Sequence, residues 1–481
     1  MIPLDFKRAK THGADGVERA HMWAHTALLA VALSVAVVFL FLRPDTVSND
    51  FGGHLAYLNH IRQEPLSPFG YTGRESWHPP TYYYLTAISE QVGSWLGLRP
   101  LRGARLFSIF LYVLYVHFAL RSFHLLFQGR MWWCASLLFI AWPSNYELSS
   151  RLNSDAALLP IYSAVQFYVL RSVLAANLQD SLRALSVSCV GLLFKTSALV
   201  PLAVASVFTA GLSVWLRIRP PEKVSRVSRL WMPGLIVTFL LCVSVNISRP
   251  VAYWWSGSRQ TVSHLGGQQS RVLNTTQLLA FRLWNTWDNP FSDFRYNRSS
   301  ALEFAFKSAL FTEQPSMGKG KFLGRMWVVL ILFQFLIVFV ALARYAPGVV
   351  RRSLRLGEPS QSPPRVLWDE AESKFGTGES DSRNYALLRW GVLAVLALLP
   401  IVGLLVFTWK QNLVVCSNFR FVQASLVAWI GLLLMPAYGC KNDCQRRALL
   451  GRIGWLGAFT ITTWGIVCLL LKAFRPWLGW G

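Results

Sequence analysis

Charge is scarce in this chain. Only 15% of its 481 residues are Asp, Glu, Lys or Arg, where a soluble domain averages about 25%. Acidic residues are the rarer kind, 23 against 47 Lys and Arg, for a net charge of +24. The seven Cys lie mostly in or beside apolar stretches, so no disulfide framework is legible. Cys440 and Cys444 lack a nearby His and make a poor metal pair, and neither metal nor cofactor is expected. No repeat of fixed period is visible, and no stretch between apolar segments is long enough for a soluble domain. These shortages exclude a disordered chain, a collagenous fibre and a compact nucleic-acid-binding domain. The abundant residues point one way: 53% are apolar, with 21 Trp and 31 Phe, rings that favour membrane interfaces. The sequence reads as an all-α polytopic membrane protein.

A bilayer core of about 30 Å takes roughly 20 apolar residues as helix. The first such run is 23–42, behind a polar leader with Lys7, Arg8, Lys10 and Arg19. Only Arg43, Pro44 and Asp45 follow it, with no small-residue cleavage site, so a retained anchor is expected rather than a signal peptide. Further runs at 106–120, 131–142, 156–170, 185–194, 198–216, 230–245, 326–343, 390–409, 421–437 and 453–471 bring the expected total to about eleven transmembrane helices. With a cytoplasmic N-terminus, alternation puts three basic groups on the cytoplasmic side: Arg217 to Arg229, Arg351 to Arg355, and Lys441 to Arg452. That agrees with the positive-inside bias. The same count turns loops 43–105 and 249–322 outward and leaves 348–385, rich in Gly, Ser and Pro, as a cytoplasmic linker. Loop 249–322 carries four Trp and glycosylation triplets starting at Asn274 and Asn297. The chain thus divides into an N-terminal membrane module, 1–216, and a C-terminal transmembrane module, 217–481.

The first outward loop holds the most informative pattern. Asp50, His54 and Tyr57 fall at i, i+4 and i+7, with Leu55, Leu58 and Ile61 on an apolar face. This predicts an amphipathic helix lying in the membrane surface. Trp77, His78, Pro79 and Pro80 then open a second helix, whose tyrosines are expected at headgroup level. Arg105 precedes the second span, and Pro143, Glu147, Arg151 and Asp155 cluster before the fourth. Asp50 is either a helix-start residue stabilised by the dipole or a functional carboxylate.

That order of features, carried by Asp50, His54, Tyr57 and the segment Trp77 to Pro80, resembles the GT-C class of membrane glycosyltransferases. It looks most similar to the protein O-mannosyltransferases and the aminoarabinose transferases of lipid A, over roughly residues 23–216. The resemblance implies inverting transfer of a sugar from a polyprenyl-phosphate donor on the outer or lumenal face, with the family's acidic loop residue mapping onto Asp50. Two departures stand out. Asn49-Asp50-Phe51 replaces the usual Asp-Glu, leaving one carboxylate, and Thr81-Tyr82 stands where relatives often carry a Lys.

The chemistry is coherent on its own terms. A lipid-phosphate sugar needs a base for the acceptor hydroxyl, which a carboxylate beside a dry cleft supplies, and fixed positive charge for the leaving phosphate. Candidates for the second task are Arg105, Arg151, Lys195 and Arg420; His54, Tyr57, His78 and Asp155 complete the expected substrate-binding set. Lys195 either snorkels at a helix end or binds phosphate. Asp155 caps its helix, orients Arg151 or serves as a second catalytic carboxylate. A flippase or transporter for lipid-linked saccharides, and an O-antigen-type polymerase, are the competing readings. A bacterial inner membrane is favoured over the endoplasmic reticulum. The sugar stays open, and so does the acceptor, whether lipid, glycan or protein.

Overall fold

The structure is a computed structural model. It describes residues 6–42, 51–67, 75, 78–127, 130–142, 144, 145, 149, 151–175, 177–218, 391–398, 400–402 and 423–439, with 240, 287, 303, 325 and 329 as isolated positions. Apart from those isolated positions, the expected spans at 230–245, 326–343 and 453–471, the loop 249–322 and the linker 348–385 lie outside the described residues.

Among the described residues every regular element is helical. In α1 (Phe6–Leu42), Leu28, Ala32, Ala36 and Leu40 recur every four residues and are buried. Val31, Leu33, Val38 and Phe41 are equally apolar but exposed. A helix that is apolar all round yet buried on one stripe is one that faces lipid with the rest.

Next come α2 (Phe51–Gln63), α3 (Thr81–Trp95) and α4 (Pro100–Leu126). The central helix is α4, against which α1, α3, α5 (Arg130–Ile140) and α6 (Asp155–Leu174) all pack. The helices α7 (Leu178–Leu192) and α8 (Leu199–Ile218) follow, joined by a 3-10 turn at Thr196–Ala198. Near the C-terminal side stand α9 (Gly391–Val402) and α10 (Leu426–Gly439).

Among the described residues three helices are long and apolar enough to cross a membrane: His21–Phe41 within α1, α4 and α6. They match the first, second and fourth expected spans. Met131–Ile140, Leu199–Val214 and Gly391–Val402 are apolar but shorter. The helix over the fifth expected span begins earlier, at Leu178, because Asn177 accepts from Gln179 N–H at 3.0 Å and caps it there.

Contacts at both ends fix the packing directions. His21 lies against His124 with ring centroids 3.8 Å apart, while Arg102 lies over Phe41 at 5.3 Å, so α1 and α4 are antiparallel. Ser108 Oγ donates to Arg151 O at 2.6 Å and Arg121 sits over Phe167 at 4.7 Å, so α4 and α6 run parallel. One end of the bundle therefore gathers the N-termini of α3, α4 and α6 with the C-termini of α1 and α7.

At that end α3 approaches α4 backbone to backbone. A Cβ placed on Gly93 would sit 2.3 Å from Gly103 Cα, so no other residue fits the crossing. The close approach pins the end of α3 to the start of α4, while Tyr82 at the start of α3 reaches Ser108 further along α4.

Candidate functional site

The helix α2 is built on a stripe of His54, Tyr57, Leu58 and Ile61, all buried. The expected helix forms, but its faces are corrected: His54 and Tyr57 face protein along with Leu58 and Ile61, because each finds a partner there. His54 Nδ1 lies 2.7 Å from Tyr83 Oη. Tyr57 Oη donates to His78 O at 3.5 Å and its ring packs on Tyr83 with centroids 4.1 Å apart. The tyrosines of α3 are corrected likewise. Tyr82 and Tyr83 are fully buried against protein and do not face outward.

Glu75 was not anticipated. It is buried and pairs with His78, Oε2 to Nε2 at 2.9 Å. The pair sits against α2: a Cβ on Gly53 would meet Glu75 Cγ at 2.8 Å, so the glycine leaves room for the carboxylate. The His78 ring stacks on His54 with centroids 5.9 Å apart and planes 12° from parallel. The sequence signal was a Glu three residues before a His, which means little without the loop that brings both inward.

A second chain of bonds ties this cluster to α6. Ser108 Oγ gives its proton to Arg151 O, so at the 3.1 Å contact between Ser108 Oγ and Tyr82 Oη the phenol is the donor. Tyr82 Oη also accepts from Asn153 N–H at 3.0 Å. Burial raises the Tyr82 phenol above its usual range, so it stays protonated and keeps both roles. Asp155 opens α6, and its Oδ1 is ion-paired with Lys195 Nζ from beyond α7. Both are buried, 4% and 6% exposed. Lys195 therefore does not snorkel, and Asp155 is turned to the lysine. Arg105 and Arg151 are buried at the same end.

Of the expected site residues, the structure thus joins His54, Tyr57 and His78 into one cluster and Asp155 with Lys195 into an ion pair. Tyr82 and Ser108 link the two, and Arg105 is buried on the same stretch of α4. Asp50, which immediately precedes α2 in sequence, and Arg420 lie outside the described residues. Among the described residues no group of three His, Cys, Asp or Glu could hold a metal ion.

Comparisons with known proteins add little. No protein-family profile matches the chain, and no curated protein matches it. A solved structure, that of ArnT from Cupriavidus metallidurans in the apo state, matches over 86% of this chain and 77% of that chain, at 16% identity and a TM-score of 0.33. A TM-score that low does not establish a shared fold.

Proposed function

We propose that this protein is an inverting glycosyltransferase that takes a sugar from a polyprenyl-phosphate donor on the outer or lumenal membrane face. The observation that supports the reading is the buried ionisable cluster at one end of an apolar helix bundle. Glu75, His54, His78, Arg105, Arg151, Asp155 and Lys195 are all withdrawn from water there. Charged groups in such a setting are costly and mark functional paths.

In this reading the acceptor hydroxyl attacks the anomeric carbon from the face opposite the phosphate. The new C–O bond forms as the bond to the phosphate oxygen breaks, and its electron pair leaves with the polyprenyl phosphate. The hydroxyl proton passes to the carboxylate of Asp50. Arg105, Arg151 and Arg420 receive the phosphate charge, as guanidinium groups do well. Glu75 fixes the orientation of His78, and His54 and Tyr57 line the acceptor side. Lys195 holds Asp155.

Asp50→Asn tests the assignment. Asn and Asp rank together as helix caps, so a capping role survives the change, while a base does not. Transfer from a polyprenyl-phosphate sugar in nanodiscs should fall about 10²–10⁴-fold with thermal stability retained. A folded variant with parental transfer removes Asp50 from the reaction.

A further inference from the structure

The segment before α6 holds two polar atoms that the mechanism above does not use. Asn153 is 1% exposed; its Oδ1 accepts from Asp155 N–H at 2.8 Å, but its Nδ2 has no hydrogen-bond partner. Ser154 is fully buried, and its Oγ has none either. Buried donors are almost always satisfied, and near a bilayer water is a poor substitute.

The usual explanation for a Ser at this position is a helix cap, and it fails here. Ser154 is already helical, at φ −61° and ψ −17°, and makes no side-chain cap bond. The first-turn N–H groups do not need it. Asp155 N bonds Asn153 Oδ1, Ala156 N bonds Asn153 O at 3.0 Å, and Ala157 N bonds Ser154 O at 3.2 Å. Asn153 has taken over the capping, which leaves its amide nitrogen and the serine hydroxyl buried without a hydrogen-bond partner.

The neighbourhood selects the ligand chemistry. Asp155 follows directly and is neutralised by Lys195, so the pair offers Asn153 and Ser154 no net positive charge to draw a phosphate. Neutral hydroxyls need none. An amide with two donors, and a hydroxyl that both gives and accepts, match two adjacent hydroxyls on one ring.

We infer that Asn153 and Ser154 form a subsite for the hydroxyls of the donor's sugar and set which sugar is accepted. The inference rests on the glycosyl-transfer reading. A site built to hydrogen-bond a hydroxyl discriminates strongly against analogues that lack it or misplace it.

The test compares two kinds of lipid binding to the full chain in nanodiscs. One is undecaprenyl phosphate without sugar; the other is a panel of undecaprenyl-phosphate mannose, glucose and arabinose, from which the tightest binder is taken. Ser154→Ala removes the hydroxyl. Asn153→Asp keeps the oxygen that caps Asp155 N and removes both amide donors. Each should weaken the sugar-bearing lipid about three- to tenfold and leave the bare phosphate lipid unchanged, with Ser154→Thr close to the parent. Equal weakening of both lipids would assign the residues to phosphate or packing, and no weakening of either would remove them from the site; both results overturn the inference but spare the glycosyl-transfer reading. A parent that binds bare carrier but gains nothing from any sugar also sinks the inference alone. A parent that binds neither kind of lipid sinks the glycosyl-transfer reading with it.

Discussion

At one end of the α6–α7 pair, Asp180 is fully buried and surrounded by partners close in sequence. Arg171 Nε stands 3.1 Å away, Arg183 Nη1 2.8 Å, and Asn177 Nδ2 donates at 3.0 Å. Both arginine side chains reach solvent, at 40% and 37% exposure. At the other end Asp155 meets Lys195, forty residues on and buried with it. The first carboxylate is a local clasp between two helix ends. The second is a buried charge pair, set beside amide and hydroxyl donors that no protein atom satisfies. The same residue type thus serves an open joint at one end and a closed, buried pair at the other. The difference lies in what surrounds it.

Removing one member of each pair separates the two ends. Asp155→Ala strands the ammonium of Lys195 in the interior, and breaking a buried pair this way costs about 3–5 kcal/mol. Thermal unfolding in detergent should show the largest drop of the series, largely recovered when Lys195→Met is added. A single variant as stable as the parent would mean the pair holds nothing together.

Tyr82→Phe comes next. It leaves Asn153 N–H buried without its phenol acceptor, at about 1–3 kcal/mol, and should loosen the start of α6. Hydrogen exchange at Asn153 reads this directly; unchanged protection would disconnect α3 from α6.

The smallest effect belongs to Asp180→Asn. Its arginines relax into water, so the loss should be about 1–2 kcal/mol after allowing for screening. A cost equal to that of Asp155→Ala would erase the distinction between clasp and buried pair.

Much of the scaffold was legible in the sequence. The apolar runs behind α1, α4 and α6 declare themselves because a span must be apolar along its whole length. The spacing of His54 and Tyr57 announced that they share a helix face. Which way that face turns was not legible, since periodicity cannot tell lipid headgroups from the interior of the same protein. That Tyr82 and Tyr83 turn into protein was illegible for the same reason. The pairing of Asp155 with Lys195 and the inward turn of Glu75 depend on how helices and a loop meet across distant positions. Nothing local encodes that. Nothing in the sequence sets Gly93 and Gly103 apart; their role arises only where the helices cross.

That crossing also ties the candidate site to the thickness of the membrane. The 27 residues of α4 extend about 40 Å at 1.5 Å per residue, against a hydrocarbon core of about 30 Å. A helix with such a surplus tilts further in a thin bilayer than in a thick one. Because α3 touches α4 through bare backbone at Gly93 and Gly103, no side chain can cushion the joint. Each degree of tilt in α4 is handed to α3 and to the His78 segment in front of it. Lipids with shorter acyl chains would therefore reshape the mouth of the site without touching one of its residues.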